Sequence, residues 1–249
     1  MIQKLSNKVY VVGGDGSANV VIIVDSKGAI VVDTSLFEEK ARKIREFIEG
    51  VLKKRIYLII NTHYHPDHCF GNIVFDDVQI LSSSLTKKKM SLMDADYLKD
   101  LPMIKKPVLP SITFEEDWCD EYLQIAKLGG HTPDSSIVIV RDEKILVAGD
   151  LVFNGFHPEI VSDSNLEQWI TILEDLRRRH FNWVIPGHGE PMGMVSIDLM
   201  VRYLSKIKRL LAGTVTYAEI LSDDNFSRRE FPELFSWGIE NLLSVQRAR

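Results

Sequence analysis

Residues 56–68 read Ile56-Tyr57-Leu58-Ile59-Ile60-Asn61-Thr62-His63-Tyr64-His65-Pro66-Asp67-His68. The apolar run Ile56–Asn61 predicts a short buried strand. Three histidines and one aspartate follow within six positions, so these side chains lie in the loop that leaves the carboxyl end of the strand. Ligand sites in α/β sheets favour that edge. The segment therefore predicts an α/β fold with a polar site at the carboxyl end of this strand.

The histidine cluster indicates metal binding. With 7 histidines in 249 residues, three at fixed spacing would arise by chance in about one chain in a hundred or fewer. Imidazole nitrogens and a carboxylate suit a borderline cation such as zinc. Alternating residues point the same way, so His63 and His65 can bind one ion together. Asp67 and His68 follow the chain-stiffening Pro66, approach from another direction and could hold a second ion.

Strand and helix patterns continue on both sides of this segment. Besides Ile56–Asn61, the predicted strands are Val9–Val12, Asn19–Asp25, Ala29–Asp33, Val78–Leu81, Tyr122–Leu128, Ser136–Arg141, Ile145–Ala148 and Trp183–Ile185. The predicted helices are Phe37–Glu49, Ser84–Lys99, Leu166–Arg179 and most of Val195–Arg249. Asp15-Gly16 and Lys27-Gly28 predict turns between the first strands. The order of several strands followed by a helix occurs twice along the chain. This repeat predicts two sheets stacked face to face with helices on their outer sides, a four-layer sandwich.

Composition predicts one globular domain. The 249 residues are 45% hydrophobic and 26% charged, ordinary values for a chain with a large core. One large α/β domain commonly reaches this length. We therefore expect a single domain with its core sandwich in residues 1–194 and a mostly helical extension in residues 195–249.

The net charge and the lack of apolar targeting segments bear on the kind of substrate and on the location of the protein. The formal net charge of −5 disfavours a nucleic-acid-binding surface and favours a small-molecule substrate. The first eight residues lack the apolar core of a signal peptide, and no apolar run approaches the length of a membrane span. The sequence thus predicts a cytoplasmic protein. Its two cysteines, Cys69 and Cys119, are expected to be unpaired.

Three further polar residues follow predicted strands. His131 lies in Gly129-Gly130-His131-Thr132-Pro133-Asp134, Asp150 in Ala148-Gly149-Asp150-Leu151, and His188 in Pro186-Gly187-His188-Gly189. A lone loop histidine is more often a surface residue than a ligand, and an aspartate after a strand is often a cap or turn residue. Alongside the histidine cluster, the three residues become candidate metal ligands.

The histidine cluster, Gly130-His131-Thr132-Pro133, Gly149-Asp150 and Pro186-Gly187-His188-Gly189 together resemble the ordered motifs of the metallo-β-lactamase superfamily. The resemblance runs from about Val9 to Gly193. It implies an αββα sandwich with the active site at one edge, between the sheets. This fold agrees with the four-layer α/β (α+β) architecture predicted from the strand and helix patterns.

The resemblance also implies ligand roles. His63, His65 and His131 would bind a first divalent ion, Asp67, His68 and His188 a second, and Asp150 would bridge them. Zinc is the first choice, with iron or manganese as alternatives. Asp33 would orient the ligands. A hydroxide held between two ions would act as the nucleophile, and Asp67 and Asp150 would be catalytic.

The implied activity is hydrolysis of a small ester, thioester or lactone. Asp150 sets the chain apart from the zinc β-lactamases, whose corresponding position supplies a different ligand or no bridge. Two alternatives stay open: a phosphodiesterase or nuclease of the same superfamily, and a metal-binding or mononuclear-iron relative without hydrolytic activity. A homodimer is compatible with the sequence. Tyr64 and His157 lie near the ligands in sequence, but their roles stay open.

Overall fold

Two β-sheets form the centre of the molecule in the computed structural model, which describes residues 1–13, 17–99, 101 and 107–247. The first sheet has the strand order β1 to β7, antiparallel from β1 to β4 and parallel from β4 to β7. Its strands are β1 Ile2–Lys4, β2 Val9–Val12, β3 Val20–Val24, β4 Ala29–Val32, β5 Ile56–Ile60, β6 Gln79–Ser83 and β7 Ile112–Phe114.

The second sheet has the order β12-β11-β10-β9-β8. Only β11 and β12 pair in parallel; the other neighbours are antiparallel. Its strands are β8 Asp117–Cys119, β9 Leu123–Lys127, β10 Ser136–Val140, β11 Ile145–Phe153 and β12 Trp183–His188. Parallel pairs in both sheets matter for the site, because parallel strands end at the same edge.

The sheets pack face to face, and alternation along β4 shows how both of its faces are buried. Ile30 and Val32 join the cluster between the sheets, with Val138 and Val147 of the second sheet. Val31 lies in a different cluster, which contains residues of the first helix. Successive strand residues point to opposite faces, so a strand covered on both sides reads as an unbroken apolar run.

Helices cover the outer faces. On the first sheet lie α1 Glu38–Glu46 and a π-helical turn Phe47–Val51, followed along the chain by α2 Pro66–Cys69, a 3-10 segment Phe70–Phe75, α3 Ser84–Ser91 and α4 Ala95–Leu98. On the second sheet lie α5 Leu166–Arg177, α6 Val195–Leu211, α7 Tyr217–Leu221, α8 Asp224–Ser227 and α9 Pro232–Arg247. The predicted four-layer sandwich with a helical carboxyl-terminal extension is confirmed.

Several boundaries differ from the sequence prediction. The predicted helix Ser84–Lys99 is two helices, because the Asp94 side chain accepts a hydrogen bond from Tyr97 N and starts a new helix. The short strands β1, β7 and β8 were not predicted. The prediction that Asp150 follows a strand is wrong, because β11 continues through Gly149 to Phe153. The predicted turn Asp15-Gly16 lies outside the described residues.

The carboxyl-terminal helices pack on the same cluster as α5 and α6. Ile220, Phe226, Phe235 and Leu242 are buried there against the outer face of the second sheet. That the chain is a single domain stays a prediction. In the described part of the chain, no helix combines the length and apolarity needed to cross a membrane. Both cysteines are free, as predicted.

Candidate metal centre

The candidate ligands meet where parallel strands of both sheets end. His63 and His65 follow β5, which pairs in parallel with β4. Directly after His65, Pro66 starts the short helix α2, whose turn carries Asp67 and His68 back toward the same point. Proline suits this first helical position because it has no N–H to leave unpaired. The seven predicted residues are brought together at this edge: His63, His65, Asp67, His68, His131, Asp150 and His188.

Two glycines allow Asp150 to reach the site from within β11. Gly149 has φ +52, a left-handed conformation that glycine adopts readily, and the register with β12 shifts there. A Cβ atom on Gly187 would lie 1.8 Å from Asp150 Oδ1. Only the absence of a side chain at residue 187 leaves room for this carboxylate.

The seven side chains form two groups. His63, His65, His131 and Asp150 make the first, and Asp67, His68 and His188 the second, with ligand-type atoms in each group within 4.8 Å of one another. Within the first group, His131 Nε2 lies 3.2 Å from His65 Nδ1. Within the second, His188 Nε2 lies 3.2 Å from Asp67 Oδ2.

The carboxylate of Asp150 lies between the groups. Its Oδ2 is 3.8 Å from His63 Nε2 and 3.5 Å from His131 Nε2. Its Oδ1 is 3.1 Å from His68 Nε2 and 3.7 Å from His188 Nε2. Each oxygen therefore faces a different group of histidines.

These distances fit metal ligation. Nitrogen or oxygen atoms at 2.0–2.1 Å around a tetrahedral ion lie roughly 3.3 Å from one another. His63 Nε2, His68 Nε2 and both Asp150 oxygens are buried and have no hydrogen-bond partner among the described residues. Leaving such atoms unpaired costs about 1–3 kcal/mol each, so their presence needs an explanation. A cation bound in each group would satisfy all four atoms.

Asp33 fixes which ring nitrogen of two histidines is free. Its carboxylate lies 2.7 Å from His68 Nδ1 and accepts from Thr62 N and Thr62 Oγ1, both at 2.8 Å. Because the Thr62 hydroxyl donates its proton to Asp33, it accepts a hydrogen bond from His63 Nδ1, at 3.0 Å. Nδ1 is the donor in both histidines, so Nε2 is the ring nitrogen that faces Asp150 and would bind a cation in the neutral ring.

Burial and charge set the protonation of the site. Burial and the neighbouring histidines hold the pKa of His63 well below its ordinary value, and burial lowers the pKa of His131 to about 3. For His68 burial also opposes the charge, but Asp150, Asp67 and Asp33 outweigh it and raise the pKa well above the ordinary value. Neutral imidazole is the ligating form, so His63 and His131 are ready to bind a cation.

Comparison with known proteins identifies the family. A model of the metallo-beta-lactamase superfamily matches residues 13–188. The chain belongs to the metallo-β-lactamase superfamily. It is 27% identical over 191 residues to metallo-beta-lactamase type 2 from Bacillus cereus, covering 73% of this chain and 70% of the relative.

Other similar proteins span different activities of the superfamily. An acyl-coenzyme A thioesterase from Bos taurus is 23% identical over 224 residues, 76% of this chain and 79% of the relative. The solved metallo-beta-lactamase from Pontibacter korlensis superposes with a TM-score of 0.67 at 22% identity, covering 82% of this chain and 98% of that one. Family membership and the histidine-aspartate groups together make this chain a metal-dependent hydrolase.

Two cavities flank the metal centre of this superfamily member. The larger, about 610 Å3, is lined by Tyr64, His65, Asp67 and Glu159, and by Trp237 of α9. Tyr64 therefore lines the cavity, with Lys89 Nζ 4.5 Å above its ring. The smaller, about 250 Å3, is lined by Phe153, His157, Glu159, His188 and Phe231. His157 Nδ1 lies 2.8 Å from the Tyr203 hydroxyl.

Glu159 is a site residue that the sequence analysis missed. It lines both cavities, and its Oε2 lies 3.7 Å from His65 Nδ1. Burial, with the nearby carboxylates of Asp67 and Asp150, raises the pKa of Glu159 to about 7. Nothing in the local sequence marks it, since it follows Pro158 in a segment without strand or helix periodicity.

Proposed function

We propose that this chain hydrolyses a small thioester, ester or lactone with two divalent metal ions, zinc being the first choice. His63, His65 and His131 would hold one ion. Asp67, His68 and His188 would hold the other, and Asp150 would contact both.

The placement of Asp150 carries this proposal. Its two oxygens face different histidine groups at 3.1–3.8 Å. A carboxylate buried among four imidazoles is otherwise costly, and cationic metal on either side accounts for it. Two ions bound there would lower the pKa of a water toward about 7 and polarise a substrate carbonyl.

The protein side chains have separate tasks in this scheme. Asp33 orients His63, through Thr62, and His68. Asp67 has 26% of its side chain exposed and lines the larger cavity, so its carboxylate can orient a water molecule and carry a proton toward the leaving group. His188 is partly exposed and the remaining ligands are buried; these side chains would hold the ions.

The cavities support a small substrate. A volume of about 610 Å3 lies within the ordinary range for small-molecule sites. The thioesterase among the relatives supports a thioester, whereas the β-lactamase from Bacillus cereus makes a β-lactam the first competitor. All of these substrates present a carbonyl carbon to the same site.

Metal analysis and a substrate panel test the proposal. Natively purified protein is assayed for metal content, then for turnover of an aryl thioester, a lactone, a β-lactam and a bis-aryl phosphodiester. We expect two zinc ions per chain and the highest kcat/KM on the thioester or lactone. A single iron, or preference for the β-lactam or the phosphodiester, would contradict the proposal.

The matched variant pair is Asp150→Asn and Asp25→Asn. Asp25 is a buried acid that accepts from Lys27 N and Gly28 N in a turn outside the site, so it controls for loss of a buried charge. Asp150→Asn should lose most activity and at least one ion while its circular dichroism stays unchanged. Near-normal turnover in Asp150→Asn would refute the bridging role.

A further inference from the structure

The two cavities beside the metal centre meet at one side chain. Glu159 lines both of them. Its carboxylate lies 3.7 Å from His65 Nδ1, so it is within reach of a substrate group close to a carbonyl bound at the candidate metal site. It belongs to neither group of candidate ligands.

The carboxylate of Glu159 is available to a ligand. Among the described residues, its only polar contact is with His65, at a distance beyond a hydrogen bond. The side chain is 37% exposed, and that exposed part faces the cavities rather than a neighbouring element. A neighbouring cation favours the ionised form of the carboxyl group, which has only acceptor sites, so the matching group is a donor or a cation.

Contacts on both sides hold the segment that carries Glu159. Asn241 of α9 donates to Ile160 O at 2.8 Å, and Gly238 packs closely on the Ile160 side chain. Further along, Asp163 pairs with Lys89 of α3 at 2.6 Å. Glu159 is therefore positioned by the surrounding structure, as a specificity residue requires.

We propose that Glu159 determines substrate specificity by binding an ammonium, hydroxyl or amide N–H group on the acyl carbon next to the reacting carbonyl. The same charge disfavours an acyl group that carries a carboxylate at this position. This inference rests on the proposed hydrolysis of thioesters or esters, and it specifies which substituent the acyl group of the substrate carries. A hydrogen bond to a charged group strengthens binding more than one between neutral groups does. Partial exposure reduces this, so the expected effect on affinity is on the order of 10-fold.

Matched thioesters test the proposal by turnover. Three substrates share one thiol and differ only at the carbon next to the carbonyl, which carries an ammonium, no substituent or a carboxylate. Glu159→Gln should raise KM for the ammonium substrate about 10-fold, lower it for the carboxylate substrate and leave the unsubstituted one unchanged. Glu240→Gln, which removes a charge from an exposed position of α9 that lines neither cavity, is the control.

A binding measurement separates failure of this inference from failure of the proposed hydrolysis. Calorimetry uses inert ketones in which a methylene replaces the thioester sulfur, with and without the ammonium group. Wild-type protein should bind the ammonium ketone about 10-fold more tightly than Glu159→Gln does, whether or not any thioester turns over. Equal affinities, or a lower metal content in Glu159→Gln, would overturn the role in specificity.

Discussion

At the scale of single residues, the site depends on acids that set the state of their histidine neighbours. Asp33 is the clearest case. Its carboxylate contacts Nδ1 of His68 directly, and through Thr62 it also sets the hydrogen-bonding role of Nδ1 of His63. Its backbone has φ +59, a left-handed conformation that few residues other than glycine adopt. This local strain is consistent with a position held for its function.

Asp33→Asn should weaken metal binding by about 10–100-fold, because the amide no longer supplies the negative charge that makes His68 a better ligand. Competition with a chromogenic chelator measures the affinity, and Asp25→Asn serves as the control. If both variants bind metal as tightly as the wild type, Asp33 does not act through the ligands.

His157 makes a separate prediction about pH. Burial, together with the nearby Arg229, lowers the pKa of His157 to about 4, against an ordinary value of 6.5. As the pH falls, His157 is therefore protonated in the unfolded chain before it is protonated in the folded protein. The stability that neutral His157 contributes is present above pH 6.5 and is lost as the pH falls through about 4.

His157→Gln removes this titration. The difference in unfolding free energy between the wild type and His157→Gln should shrink by about 2–3 kcal/mol between pH 7.5 and pH 4. Urea unfolding at several pH values measures it, with His180→Gln, at an exposed position, as control. Parallel stability curves for the wild type and His157→Gln would show that His157 does not titrate this way.

At the scale of elements, α9 holds the segment that carries Glu159. Asn241→Ala removes the hydrogen bond to Ile160 O and should cost about 1 kcal/mol of stability. Amide hydrogen exchange in residues 157–164 should become faster, since that backbone loses an anchor. Glu240→Ala, at the exposed neighbouring position, is the control. Unchanged exchange in this segment would mean that α9 only covers it.

The sequence predicted the features that depend on neighbouring residues, such as strand periodicity and closely spaced ligands. The apolar run at Ile56–Ile60 and the histidines after it required only strand periodicity and ligand chemistry. Asp150 was predicted as a candidate ligand but placed after its strand, because the room for it inside β11 comes from Gly187, on another strand. Glu159 was missed because its position depends on Asn241, 82 residues away along the chain. Such long-range contacts leave no periodic signal.

At the scale of the whole molecule, the two sheets bring together residues from 63 to 188 at one edge. The first sheet supplies the loop after β5, and the second supplies Asp150 and His188 on its parallel pair β11 and β12. The core between the sheets fixes their relative position, so the ligand geometry depends on packing throughout the sandwich. The helical extension lines the cavities beside this edge.

Anomalous X-ray diffraction at the absorption edge of the bound metal, on crystals of natively purified protein, tests the paired-ion site most directly. The account predicts two peaks, one among His63, His65 and His131 and one among Asp67, His68 and His188, each in contact with one oxygen of Asp150. A single peak, or a carboxylate of Asp150 turned away from both positions, would contradict it.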